Sequence, residues 1–167
     1  MLIAFSGLPG TGKTSIAREL ARRLRVAYLR VDTVEQALRS CGTLETVGAE
    51  GYEAIYRLAE DNLNLGLMVI ADSVNPLEIT REAWAEVARE ANVRLINVEI
   101  ICSEEAEHRR RVETRSSDIP DPVLPTWDKV KNREYHPWTQ PRIVVDTAGR
   151  SVGACVDDLM SRLAAGK

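Results

Sequence analysis

The amino-acid sequence predicts an α/β protein, a parallel sheet with helices on both faces, on two observations. Short apolar runs of strand length alternate with segments of helical period along the 167 residues. Strands separated by helices pair in parallel and need cover on both sides. The second observation is the turn after the first strand, Gly7-Leu8-Pro9-Gly10-Thr11-Gly12-Lys13-Thr14. It matches G-x-x-x-x-G-K-[ST] in full, between a strand and a helix, where that spacing belongs. No internal repeat, low-complexity tract or linker divides the chain, so one domain over residues 1–167 is expected.

The elements follow in order. Leu2 to Phe5 is an apolar strand, ended by the turn that opens at Ser6-Gly7. Ile16, Ala17, Leu20, Ala21 and Leu24 then recur with helical period. Ala27 to Val31 is the second strand, and Thr33 with Gln36 has capping-box spacing, which predicts a short helix just after Asp32. A longer helix from about Gly51 places Ile55, Leu58, Ala59 and Leu63 on one face. Leu67 to Ala71 is the third strand. The helix from Thr80 to Ala91 buries Ala83, Val87, Ala88 and Ala91. Val93 to Ile101 holds the fourth strand. Ser103 caps the next helix, whose first turn carries Glu104 and Glu105 where the dipole favours acids. Five of the seven prolines fall between Ser116 and Pro141, leaving room for short elements such as a helix from Thr126 to Tyr135. Ile143 to Val145 is the fifth strand, and Val152, Val156, Leu159, Met160 and Leu163 mark a closing helix.

Composition bounds the function. Hydrophobic residues at 44% and charged residues at 28% are a globular balance. A net charge of -3 and a pI near 5.5 argue against non-specific binding to nucleic acid or to an anionic membrane. No apolar run approaches the roughly 18 residues of a membrane helix. The N-terminal apolar run lacks the basic flank of a secretory signal. Cys41, Cys102 and Cys155 are odd in number with no C-x-x-C spacing, so neither a disulfide framework nor zinc is expected, and a reducing cytoplasm is. His108 and His136 have no partner at ligand spacing.

The glycine-rich turn carries the chemistry. Glycines let successive backbone N–H groups converge on phosphate oxygens, and the helix N-terminus adds a positive end. Candidate nucleotide-binding residues are therefore Gly7, Gly10, Thr11, Gly12, Lys13, Thr14 and Ser15. Lys13 would reach the β- and γ-phosphates and the Thr14 hydroxyl would bind Mg²⁺. ATP with Mg²⁺ is the expected cofactor; the motif does not separate ATP from GTP. In open α/β sheets ligands bind at the carboxyl ends of the strands. Asp32 and Asp72 stand there, after strands two and three.

With its extra glycine, Gly10, the loop reads G-x-x-G-x-G-K-T, and motifs spaced along most of the chain resemble the small P-loop kinases. These include gluconate kinase, shikimate kinase, adenylylsulfate kinase and chloramphenicol phosphotransferase. The resemblance implies a P-loop NTPase fold, a five-stranded parallel sheet in the order 2-3-1-4-5, ATP over the loop and a mobile lid. It leaves the phosphate acceptor open. Chloramphenicol phosphotransferase and adenylylsulfate kinase have an aspartate facing the acceptor hydroxyl, so by resemblance Asp32 orients or deprotonates that hydroxyl; the alternative is capping of the next helix. Asp72 ends an apolar strand and would join Thr14 at Mg²⁺ through water, or else bond the turn from Ser73 to Asn75. The two roles can also be exchanged, with Asp72 the base and Asp32 a positioning group.

Arg111 and Arg115 are four apart, on one helical face, in a pattern that resembles the lid arginines of gluconate and nucleotide kinases. One such arginine lies near adenine and the other contacts phosphate; the bland reading is a solvated basic face. Residues 116–141 become the candidate lid and acceptor wall. Trp127, Tyr135, His136 and Trp138 either stack on a substrate ring or pack the segment onto the sheet. A Trp-Asp and a Tyr-x-Pro-Trp segment are similar to those of AAA-domain ATPase-like kinases. Asp146-Thr147-Ala148-Gly149-Arg150 is similar to the turn beside adenine in small P-loop kinases, with Gly149 its candidate contact; it is equally ordinary turn punctuation.

The expectation is an ATP-dependent, Mg²⁺-requiring kinase acting on a small-molecule hydroxyl, with Lys13, Asp32 and Arg115 at the chemistry. Monomer or homodimer, no nucleic acid and no membrane are expected. The rivals are a nucleotide-binding ATPase or switch module without an acceptor, and a nucleic-acid end kinase, which the acidic pI disfavours.

Overall fold

The computed structural model describes residues 1–42, 48–116 and 124–165. Its elements are β1 (Leu2–Ser6), α1 (Lys13–Leu24), β2 (Ala27–Arg30), α2 (Val31–Ser40), α3 (Glu50–Asn64), β3 (Val69–Asp72), α4 (Glu78–Glu90), β4 (Leu95–Ile101), α5 (Glu105–Thr114), α6 (Trp127–Lys131), β5 (Ile143–Asp146) and α7 (Val152–Ala165). The five strands form one sheet in the order β2-β3-β1-β4-β5, every pair parallel. This is the order that the kinase resemblance implies.

β1 is central and wholly buried, and its alternation sorts two cores. Ile3 and Phe5 face Ile16, Leu20, Val156 and Leu159, the inner stripes of α1 and α7. Leu2 and Ala4 face Ile55, Ala59, Trp84 and Val87 of α3 and α4. All five strands therefore end at one edge, where the loops gather the polar residues. Among the described residues no helix is long and apolar enough to cross a membrane.

Several boundaries differ from the sequence reading. Chain passes from β2 into α2 without a turn: Arg30 is the N-cap, in extended conformation and with no side-chain capping bond. The expected Thr33–Gln36 box is thus not the cap, and Asp32 lies in the helix's first turn. Burial explains the shift, since Val31 is 2% exposed and packs into the α3–α4 core, drawing the helix start with it. β3 begins at Val69, opposite Leu2, leaving Leu67 outside the sheet and 48% exposed. Ser103 does not cap α5; its backbone N–H donates to Asp146 Oδ1 at 3.0 Å. Thr126 does cap the short α6, its Oγ1 accepting the Lys129 N–H at 3.4 Å. Residues 117–123 of the candidate lid, with Pro120 and Pro122, lie outside the described residues.

The aromatic residues pack. Arg81 of α4 is buried, and its guanidinium donates to the carbonyls of Asn75, Pro76, His136 and Pro137 at 2.9–3.2 Å. It lies 4.0 Å from the Trp138 ring centroid and 5.1 Å from that of Tyr135. Tyr135 donates to Glu99 at 3.0 Å, and Arg142 pairs with the same carboxylate. Trp127 meets His108 edge-on at 5.1 Å. Arg81→Met is expected to strand the Asn75, His136 and Pro137 carbonyls, Pro76 keeping the His136 N–H at 2.8 Å, and to lower stability by about 3 kcal/mol. That corresponds to a thermal melt lower by about 6–12 °C; an unchanged melt would remove the staple from the fold.

Candidate active site

The loop after β1 takes its shape from backbone that only glycine tolerates. Gly7 has φ +138°, and a Cβ there would lie 2.3 Å from the Ile100 carbonyl oxygen of β4. Gly10, at φ +87°, would push a Cβ to 2.5 Å from Val112 of α5. Gly7→Ala is therefore expected to cost about 1–3 kcal/mol and displace the loop from the sheet; melting and nucleotide titration check this. Other elements hold the loop from outside. Gly7 N–H donates to Val74 at 3.1 Å, Thr147 Oγ1 lies 2.8 Å from the Thr11 carbonyl, and His108 Nε2 lies 2.9 Å from the Pro9 carbonyl. Gly12 is the N-cap of α1 and offers no side chain, so the first N–H groups of α1 have no capping side chain.

A cavity of about 920 Å³ opens at the carboxyl edge of the sheet. Gly10, Gly12, Lys13, Thr14, Ser15, Asp32, Arg111 and Arg115 all stand on its wall. Gly7, Thr11, Asp72 and Gly149 lie off it. Lys13 is buried, and burial pushes its pKa down while the Asp72 and Asp32 carboxylates oppose the fall. Asp72 is only 1% exposed; its Oδ2 accepts the Tyr28 hydroxyl at 2.7 Å, and its Oδ1 has no hydrogen-bond partner among the described residues. Burial and the neighbouring Asp72 charge raise the Tyr28 pKa, so the phenol is the donor.

The two arginines differ in freedom. Arg111 is tied to the Thr147 hydroxyl at 2.8 Å, the Thr147 carbonyl at 3.0 Å and Glu107 at 2.6 Å. Glu107 also accepts the Gly149 N–H at 2.9 Å, which locks the turn after β5 to α5. Arg115 is the C-cap of α5 and already extended, so it leaves the helical face its spacing predicts. It is half-buried, and its Nε has no partner among the described residues. Burial lowers its pKa, and the Asp32 charge counters that.

Asp32 presents its carboxylate to the cavity at 45% side-chain exposure, with Arg30 at 3.4 Å. One turn on stands Glu35, which the sequence reading missed although the i, i+3 spacing from Asp32 was visible. Burial and the Asp32 charge raise the Glu35 pKa; Arg39, at 3.2 Å, pulls it back. Its stem fits because residue 51 is glycine, where a Cβ would fall 2.5 Å from Glu35 Cγ. Tyr52 joins the same wall, its hydroxyl accepting the Asn75 N–H at 3.2 Å.

Among the described residues no three His, Cys, Asp or Glu side chains gather into a metal cluster. Magnesium asks for less, one or two protein oxygens completed by phosphates and water. The Thr14 hydroxyl on the cavity wall and the buried, unpartnered Oδ1 of Asp72 are of the oxygen type that donor set needs. The whole edge suits a phosphorylated nucleotide: a cationic pocket with backbone donors on one side and carboxylates on the other.

Comparison with known proteins bears on the family and the fold. The family model described as AAA domain matches residues 2–134. An adenylyl-sulfate kinase of Synechococcus sp. is 27% identical over 165 residues, spanning 95% of this chain and 91% of that protein. The Mycobacterium tuberculosis APS kinase in complex with AMPPNP and APS superposes with TM-score 0.69 at 20% identity, covering 97% of this chain and 96% of that one. A gluconokinase from Sinorhizobium meliloti superposes with TM-score 0.68 at 18% identity, covering 97% and 90%. The two structural likenesses speak for the fold.

Proposed function

The chain belongs to the AAA domain family, among its small P-loop kinases, and from that premise we propose that it is an ATP-dependent, Mg²⁺-requiring kinase of a small-molecule hydroxyl. One observation carries the reading: Lys13 and the uncapped start of α1 share a cavity with the exposed carboxylate of Asp32. A phosphate donor and a hydroxyl acceptor can meet there. ATP as donor is supported by the adenylyl-sulfate kinase relative and by the AMPPNP-bound structure of similar fold.

The residues divide the work. Backbone N–H groups of the loop from Gly10 to Ser15 bind the phosphates, and Lys13 sets its charge against them. Arg111 and the Gly149 turn stand on the nucleotide side, fixed to each other through Glu107. Asp32 orients the acceptor hydroxyl and takes its proton as the oxygen forms its bond to the γ-phosphorus. The bond from that phosphorus to the β–γ bridging oxygen breaks, and ADP departs with the electron pair. Arg115 brings an always-ionised fork with an open N–H to the charge on the transferring group. Thr14 and Asp72 would hold Mg²⁺, which when bound neutralises charge on the β- and γ-phosphates. The cysteines are all free, Cys41 exposed and the others buried, which suits a reducing compartment such as the cytoplasm.

A panel of hydroxyl metabolites, nucleosides and antibiotics tests this by ATP consumption with Mg²⁺. Slow hydrolysis alone and strong stimulation by one chemical class is the expected result. Equal turnover with and without every acceptor would favour an ATPase module.

A further inference from the structure

We propose that Tyr28 is a positioning residue for the metal: its hydroxyl holds the Asp72 carboxylate so that Oδ1 stays turned toward the cation shell. This rests on the reading of Asp72 as a metal-shell oxygen. Asp72 is almost completely buried, and a buried carboxylate usually gathers several donors. Here Oδ2 takes the Tyr28 hydroxyl at 2.7 Å while Oδ1 takes none among the described residues. Lys13, the phosphate-loop lysine, lies within the electrostatic reach of the same carboxylate. An acceptor left open at that place is what a metal-bound water would complete.

The strand register explains why Tyr28 can do this. On β2, Arg30 stands opposite Asp72 and Tyr28 opposite Ile70, two residues earlier and so on the same face of the sheet. The phenol thus reaches along the strand to the carboxylate from within the sheet, not from a loop. Its ring is packed against the core that contains Ile16, Ile70 and Leu20, which limits its swing. Without the hydroxyl, Asp72 is free to rotate and close an ion pair with Lys13, and Oδ1 is lost to the metal. Outer partners of metal-shell carboxylates typically govern affinity by about 10- to 100-fold.

Tyr28→Phe removes the hydroxyl and keeps the ring. Mn²⁺ binding to protein saturated with AMPPNP, read by electron paramagnetic resonance, should weaken about 10- to 100-fold. AMPPNP affinity in EDTA, by calorimetry, should stay within about twofold of the parent, an expectation that follows because the bond lies on the metal side. Asp72→Asn is measured beside it. If Asp72→Asn loses Mn²⁺ and Tyr28→Phe binds it as the parent does, Tyr28 only packs and the proposal fails. Parent-like Mn²⁺ binding in Asp72→Asn removes Asp72 from the metal shell, and the proposal falls with that reading. Equal losses with and without metal in Tyr28→Phe would show a general disturbance of the site and also overturn it.

Discussion

Lys13→Met is expected to leave a folded protein that scarcely binds Mg·ATP and barely turns over. The substitution keeps an apolar stem in a buried position and deletes the ammonium. A preorganised charged donor aimed at a transferring phosphoryl group contributes about 3–4 kcal/mol, or roughly 10²–10³-fold. Stability is pulled two ways. The variant escapes the desolvation that pushes the Lys13 pKa down, and it deprives buried Asp72 of the Lys13 charge. A melt within a few degrees of the parent is the expected balance. Calorimetry showing parent affinity for Mg·ATP, together with parent turnover, would remove the loop from the mechanism.

Asp32→Asn is expected to keep fold and ATP affinity while slowing phosphoryl transfer. Removing a general base typically costs about 10²–10⁴-fold, or roughly 3–5 kcal/mol in the transition state. Asp32 sits in the first turn of α2, where losing a negative charge costs about 0.3–1 kcal/mol through the helix dipole. A purely structural role therefore predicts a slightly lower melt and an intact rate. Kinase transition states are loose, so positioning of the hydroxyl can outweigh proton removal. A stable Asp32→Asn enzyme at the parent rate would shift the base assignment, with Glu35→Gln and Asp72→Asn the next variants to measure.

Much of this arrangement was legible because it is written locally. The loop from Gly7 to Thr14 is one contiguous motif, and the run from Leu2 to Phe5 reads as buried because β1 has neighbours on both sides. The strand order came from family resemblance, since periodicity does not say which strands pair. The start of α2 departs from the capping spacing because tertiary burial of Val31 overrides it. Arg81 breaks the apolar pattern of α4, yet it is buried, in part by carbonyls from a distant segment. The roles of Tyr28 and His108 are not legible for the same reason: each acts through a bond to a residue more than forty positions away.

Phosphorus NMR of the complete reaction follows transfer to an acceptor atom by atom. With Mg·ATP and the stimulating acceptor from the panel, the γ-phosphorus signal is expected to disappear as a phosphate-ester signal grows in equal amount. Growth of inorganic phosphate alone, at a rate indifferent to every acceptor, would make the protein an ATPase and not a kinase.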